Sequence, residues 1–291
     1  VISRRLNILK EYGKGWLIDM KPMRLEYKFL VSNNRLEELR EAILPFVSLD
    51  EYAVREVDKQ YTVRSIYFDT MKLDDYRDKL AGIKIRKKLR IRGYNQLNSD
   101  SIVFLEIKRK YENHISKNRA PVLFSDLELL LQTSDFDKYL LKKKNFLDAR
   151  NDAIKFFYLL KLKNCSSVIL IDYDREAFYS KLDSTLRITF DKNLRSKALP
   201  AINRLFDDDE LNYAIPGKFI LELKFFGGFP TWLQKIIRRF ELNRQALSKY
   251  TMCVDTQYEL RRFVNKKDLL ITPLSTFQNT LTQKDYIKNA G

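Results

Sequence analysis

The sequence predicts an antiparallel α+β domain, and three observations carry that prediction. Seven segments alternate apolar and polar residues with the period of two that marks a half-buried strand. Apolar residues three and four apart, the helical signature, gather mainly between the fourth and fifth of these segments. The strand–helix–strand rhythm of a doubly wound parallel sheet is missing.

The first strand is expected at 24–31 (RLEYKFLV), followed by a helix over 34–46 in which Leu36, Leu39, Ile43 and Leu44 recur at helical spacing. Strands follow at 62–69, 83–92 and 102–110. Helices are expected at 126–132, 135–144 and 146–160, with Ser125 and Ser134 as N-caps whose hydroxyls accept from free first-turn N–H groups. Strands at 167–173, 185–191 and 218–226 come next, and Gly227, Gly228 and Pro230 then turn the chain into a last helix. In that helix Trp232, Leu233, Ile236, Ile237 and Phe240 form a core-facing stripe. The expected organisation is a leader at 1–22, one domain at 23–264 and a polar, partly flexible tail at 265–291. No internal repeat is visible.

The chain has 291 residues, 45% of them hydrophobic, enough for a sizeable core. Lys and Arg number 54 against 38 Asp and Glu, a net charge of +16 that favours an anionic partner. Cys165 and Cys253 match no zinc spacing and suit a reduced, cytoplasmic setting as core thiols. His114 is the single histidine, which excludes HExxH zinc sites and argues against a Ser/His/Asp triad. No run approaches the roughly 18 apolar residues of a membrane span, so no membrane insertion is expected. A P-loop and a GxGxxG turn are both missing. Lys142, Lys143, Lys144, Arg238 and Arg239 read as solvated helix faces.

The strands carry the chemistry. Side chains two apart share a face, so 83–92 places Lys84, Arg86, Lys88, Arg90 and Arg92 together, against Ile83, Ile85, Lys87, Leu89 and Ile91. Cations in such a row repel one another, a strain that is costly in an enclosed space unless an anion neutralises it. Three other strands each pair a glutamate with a lysine on one face: Glu26/Lys28, Glu106/Lys108 and Glu222/Lys224. Such a pair sets an oxygen ligand for a hard cation beside an ammonium for a phosphate oxygen. An ordinary surface ion pair is the plain alternative for any one of them; three pairs beside a cationic strand favour a binding site.

Several motifs occur in order: Arg24-Leu25-Glu26-Tyr27-Lys28, Ser65-Ile66-Tyr67-Phe68-Asp69, Arg90-Ile91-Arg92-Gly93-Tyr94 and Phe104-Leu105-Glu106-Ile107-Lys108. Tyr173-Asp174-Arg175-Glu176-Ala177-Phe178, Leu186-Arg187-Ile188-Thr189, Leu221-Glu222-Leu223-Lys224, Pro230-Thr231-Trp232-Leu233 and Ser248-Lys249-Tyr250 complete the set. On these motifs the chain resembles the VTC-type polyphosphate polymerase domain of the CYTH, or triphosphate tunnel metalloenzyme, superfamily. The resemblance implies a closed antiparallel β-barrel with helices packed outside. It implies a transferase that uses ATP or another nucleoside triphosphate to extend inorganic polyphosphate, dependent on Mn²⁺ or Mg²⁺. Carried over by motif, Lys28, Arg90, Arg92, Lys108, Arg187, Lys224 and Lys249 grip phosphate oxygens. Arg24, Arg86, Lys88, Arg119 and Arg175 are weaker candidates, and Glu222, with Glu26 and Glu106, is the candidate metal ligand. The hydrolytic relatives begin Glu-x-Glu-x-Lys, whereas Arg24 stands here in place of the first glutamate, which favours polymerisation over hydrolysis. A triphosphatase and a non-catalytic polyphosphate or inositol-phosphate binding module are the alternatives. No specific nucleic acid is expected, since no nucleic-acid-binding signature accompanies the charge.

Overall fold

The computed structural model describes residues 24–111, 114–183 and 185–264. The expected leader at 1–22 and tail at 265–291 lie outside the described residues. The strands are β1 (Arg24–Ser32), β2 (Val47–Leu49), β3 (Tyr61–Asp69), β4 (Ile85–Tyr94), β5 (Ile102–Tyr111) and β6 (His114–Leu123), then β7 (Ser166–Ser180), β8 (Arg187–Ala198), β9 (Asn212–Tyr213) and β10 (Lys218–Phe226). The helices are α1 (Leu36–Ile43), α2 (Glu51–Arg55), α3 (Asp74–Leu80), α4 (Phe124–Thr133) and α5 (Phe136–Tyr139), followed by α6 (Ala149–Leu162), α7 (Thr231–Arg239), α8 (Lys249–Thr256) and α9 (Tyr258–Arg261). Among the described residues no helix is long and apolar enough to cross a membrane.

All strands join one antiparallel sheet in the order β1-β10-β8-β7-β3-β4-β5-β6, with β2 added to β7 and β9 to β8. The α+β class is therefore as expected, but the closed barrel is not: no ladder joins β1 to β6. The reason lies in what occupies the two edges. Gln245 N donates to Lys28 O at 2.8 Å, and Phe29 bridges Arg244, so the chain after α7 takes the free edge of β1. On β6, Leu140 bridges Val122 and Leu141 N donates to Pro121 O at 3.0 Å, while Pro121 has no N–H to offer a further strand. Irregular segments thus cover edges that would otherwise pair. The sheet curls without closing, bringing Lys108 on β5 to 3.9 Å from Glu26 on β1.

The outward faces carry the apolar residues. Leu89, Ile91, Val103, Leu105 and Ile107 pack under Leu127 and Leu130 of α4 and Ala153 and Phe156 of α6. Phe29, Val31, Ile188, Phe190, Leu221 and Leu223 pack under Leu39 and Ile43 of α1 and Leu233 and Ile236 of α7. Helix α8 corrects the expectation that every helix lies outside. Its Tyr250, Met252, Cys253 and Val254 join Tyr67, Ile169, Ile171 and Tyr173 on the concave face of β3 and β7. The alternation of β3 explains this arrangement, because Ile66 and Phe68 serve the outer core while Val63 and Tyr67 serve the inner one.

Three local expectations also change. The helix at 135–144 is a single turn, α5, because Leu140 is drawn onto β6. Ser134 ends α4 in a left-handed conformation, φ 59°, and Ser125 lies within that helix, so neither is an N-cap; Asp135 caps α5 instead by accepting from Lys138 N. Lys142, Lys143 and Lys144 consequently sit in the loop between α5 and α6 and not on a helix face.

Candidate active site

The concave face encloses a cavity of about 1590 Å³. Among the described residues eighteen Lys and Arg line it against three Glu. Alternation along the strands produces this lining, since the apolar partners of the same strands face the outer helices.

On the β1–β10 wall the register sets each charge opposite its complement, Glu26 facing Lys224 and Lys28 facing Glu222. Lys28 Nζ lies 2.8 Å from Glu26 Oε1 and 3.4 Å from Glu222 Oε2, and Lys224 pairs with Glu222. Burial opposes ionisation of Glu26, yet Lys28 brings it down to about 2. Burial likewise works against charge on Glu222, but Lys224 and Lys28 hold it well below the usual carboxylate range. Lys28 is raised despite its burial because Glu26 and Glu222 flank it.

Next to this wall, Arg175 donates to fully buried Asp191 at 2.6 and 2.8 Å, and Lys249 also pairs with that carboxylate. Lys249 is the first residue of α8, whose start is set by Ser248 accepting from Thr251 N. Arg187 donates to Asp50 at 2.7 Å and to Tyr61 Oη at 3.0 Å.

On the β4–β5–β6 wall, Arg90 donates to Glu106 at 2.6 Å and to Tyr67 Oη at 2.8 Å, and Arg119 donates to the other Glu106 oxygen at 2.6 Å. Arg92 donates to Ser65 Oγ at 3.0 Å. One step along the strands, Lys88, Lys108 and Lys117 lie abreast in register, lysine opposite lysine. Burial brings Lys88 to about 7, with Lys108 and Arg86 adding to the effect, and burial with Lys28 brings Lys108 to about 8. Lys117, though more exposed, shifts in the same direction. Arg86 and Lys110 pair at the mouth beyond them. Arg24 lines the cavity from β1, its guanidinium 5.9 Å from the Phe226 ring.

Every candidate cation faces this one cavity, together with Glu26 and Glu222. Lys84 precedes β4 and is not among the lining residues. Glu106 shares the concave face with Phe104 and Lys108 but is fully buried beneath Arg90 and Arg119, which engage its two oxygens, so its position suits orienting those arginines. The metal question reduces to Glu26 and Glu222. Among the described residues no group of three or more His, Cys, Asp and Glu could cage an ion. Two carboxylates do suit a hard cation that completes its shell with water and phosphate oxygens. Thr189 Oγ adds to the fit: buried in register with Glu222, it has no hydrogen-bond partner among the described residues.

The VTC domain family matches residues 23–258. The chain belongs to that family. No curated protein is matched by the sequence of this VTC domain. Its structure is similar to the PH1819 protein of Pyrococcus horikoshii OT3, at 15% identity and TM-score 0.42, over 80% of this chain and 99% of that one. It is similar to HpAC1 of Hippeastrum, described as having a dominant triphosphatase activity, at 14% identity and TM-score 0.42, over 78% and 93% of the two chains. The mimivirus capping enzyme triphosphatase is a third, at 10% identity and TM-score 0.29, over 82% and 94%.

Asp191, Thr189 and Tyr67 of the VTC domain are the site features that sequence reasoning missed. The first two had a signal, since Arg187, Thr189 and Asp191 recur two apart on one strand face. Lys117 and Arg119 sit on β6, whose polar run Ser116-Lys117-Asn118-Arg119 lacks the apolar alternation that marks a strand.

Proposed function

We propose that this VTC domain transfers the γ-phosphoryl group of ATP to the end of an inorganic polyphosphate chain held in its cavity. The observation that carries the reading is the lining itself, eighteen cations against three carboxylates in an enclosed space. Such a surface is stabilised by a polyanion that neutralises its excess charge, and phosphate chains match guanidinium and ammonium groups in charge and geometry.

Arg90 and Arg92, held by Glu106, Tyr67 and Ser65, present fixed donors to phosphate oxygens. Arg175 and Lys249, fixed by Asp191, do the same from the facing side. In the transfer a terminal oxygen of the chain attacks the γ-phosphorus, the bond from phosphorus to the β,γ-bridging oxygen breaks, and ADP leaves. Positioning and charge stabilisation can supply the catalysis without a nucleophilic side chain. Glu222 and Glu26 would hold a divalent ion, Mn²⁺ or Mg²⁺, which neutralises charge on the transferring phosphate when bound. Arg24 takes one candidate carboxylate away from this end of the cavity, which favours a phosphate acceptor over water.

Incubation of the purified protein with ATP and Mn²⁺ tests the reading, with products resolved on a gel and by a phosphate assay. Long polyphosphate is expected. Free phosphate alone would make the chain a triphosphatase, and neither product would make it a binding module.

A further inference from the structure

The two ends of the cavity differ in chemistry. β4 runs from Arg86 to Tyr94 along its wall, roughly 27 Å at about 3.4 Å per residue. Around the Arg86 end the lining groups include Lys79, Gly82 and Lys110, and among the described residues no ring lines the cavity beside them. Around the Tyr94 end five lining rings touch in succession. Tyr52 lies 6.4 Å from Tyr61, Tyr61 lies 6.1 Å from Tyr94, Tyr94 lies 6.2 Å from Phe104, and Phe104 lies 5.6 Å from Phe146.

Most of these rings are covered by their neighbours, but Tyr52 is 58% exposed and Tyr179, which also lines this end, is 40% exposed. Guanidinium groups stand over the same rings, Arg187 at 5.5 Å from Tyr179 and Arg119 at 4.7 Å from Phe104. Phosphate has no use for exposed aromatic faces. A nucleobase does, because it is a flat π-surface that stacks on such rings whatever its edge pattern. A base seated there would have its phosphates on the side of Arg187, Arg92 and Arg90, pointing toward the lysine row.

We infer that the aromatic end is a nucleobase subsite, so that a nucleoside triphosphate enters base outward at Tyr52 and Tyr179 while the polyanion extends toward Lys79, Arg86 and Lys110. The inference rests on the cavity being a triphosphate site. It adds that the site distinguishes a nucleoside triphosphate from inorganic tripolyphosphate, and that the cavity has a direction.

Binding of ATP and of inorganic tripolyphosphate, measured calorimetrically in metal-free buffer so that nothing turns over, tests it. In Tyr52→Ala and Tyr179→Ala the ratio of ATP affinity to tripolyphosphate affinity should fall about tenfold, the scale of one lost stack. Tyr52→Phe, which keeps the ring, should restore the parent ratio. An unchanged ratio in both alanine variants, with both anions bound, overturns the subsite and leaves the triphosphate reading standing. A parent protein that binds neither anion overturns both.

Discussion

On the β1–β10 wall each lysine faces a glutamate, whereas on the β4–β5–β6 wall lysine faces lysine. Glu26 and Glu222 raise Lys28 against its burial, whereas burial, with neighbouring cations adding to it, lowers Lys88 and Lys108; on the first wall Lys224 is also lowered by its burial, with Glu222 and Glu26 opposing the shift. The first wall is electrostatically complete in itself and can offer carboxylate oxygens to a cation. The second is in deficit and gains stability only when an anion arrives. Its arginines escape that deficit because Glu106, buried on the same face, lies between Arg90 and Arg119. The lysine row has no counterpart to Glu106 in its own register, where Lys108 lies between Lys88 and Lys117.

Removing Glu106 is the most damaging way to break this comparison. Glu106→Gln leaves buried Arg90 and half-buried Arg119 beside one another without a shared counter-charge. Loss of one partner of a buried ion pair costs about 3–5 kcal/mol. The expected outcome is a drop of that order in unfolding free energy by urea titration, partly reversed by tripolyphosphate. A variant as stable as the parent would show that the arginines do not depend on this carboxylate.

The complete wall breaks differently. Glu222→Gln keeps the volume but removes the carboxylate that Lys28 and Lys224 share. Turnover of ATP with Mn²⁺ should fall about a hundredfold, the scale of losing one preorganised electrostatic contact, while tripolyphosphate binding without metal is retained or strengthened because the wall becomes more cationic. Equal losses in turnover and in metal-free binding would make Glu222 a structural residue only.

What could be read in the sequence follows the same divide. Charges on strongly alternating strands are legible, so the faces of Glu26, Lys28, Arg90, Arg92, Glu222 and Lys224 follow from the alternation alone. Features set by tertiary pairing are not. β6 carries its cations on an edge without apolar alternation, α8 is short and turns its apolar residues onto the concave face, and the capture of both sheet edges by irregular chain depends on single contacts at Lys28 and Pro121. Alternation predicts which residues share a face; it does not predict whether that face closes on itself, and the expected closed barrel failed at that step.

The smallest effect, and the one that examines the deficient wall most directly, belongs to Lys88. Its ammonium has Ser248 Oγ at 3.4 Å and the Tyr250 ring at 4.3 Å for company, and burial brings it to about 7. With a native value below the unfolded one, the unfolded chain binds more protons between about pH 7 and about pH 10, so Lys88 makes stability rise with pH across that window. Lys88→Met should flatten that slope in urea titrations without anion. Tripolyphosphate reverses the preference, because the anion favours the ammonium form and must bring a proton with it. The variant should bind tripolyphosphate a few-fold more weakly than the parent near about pH 6.5, and the difference should shrink as pH rises to about 9. Calorimetry in two buffers of different ionisation enthalpy reads the proton directly: at about pH 8 the parent should take up more of it than Lys88→Met. Equal uptake in the two proteins would mean that Lys88 is charged before the anion arrives, and that the lysine row is less strained than its register implies.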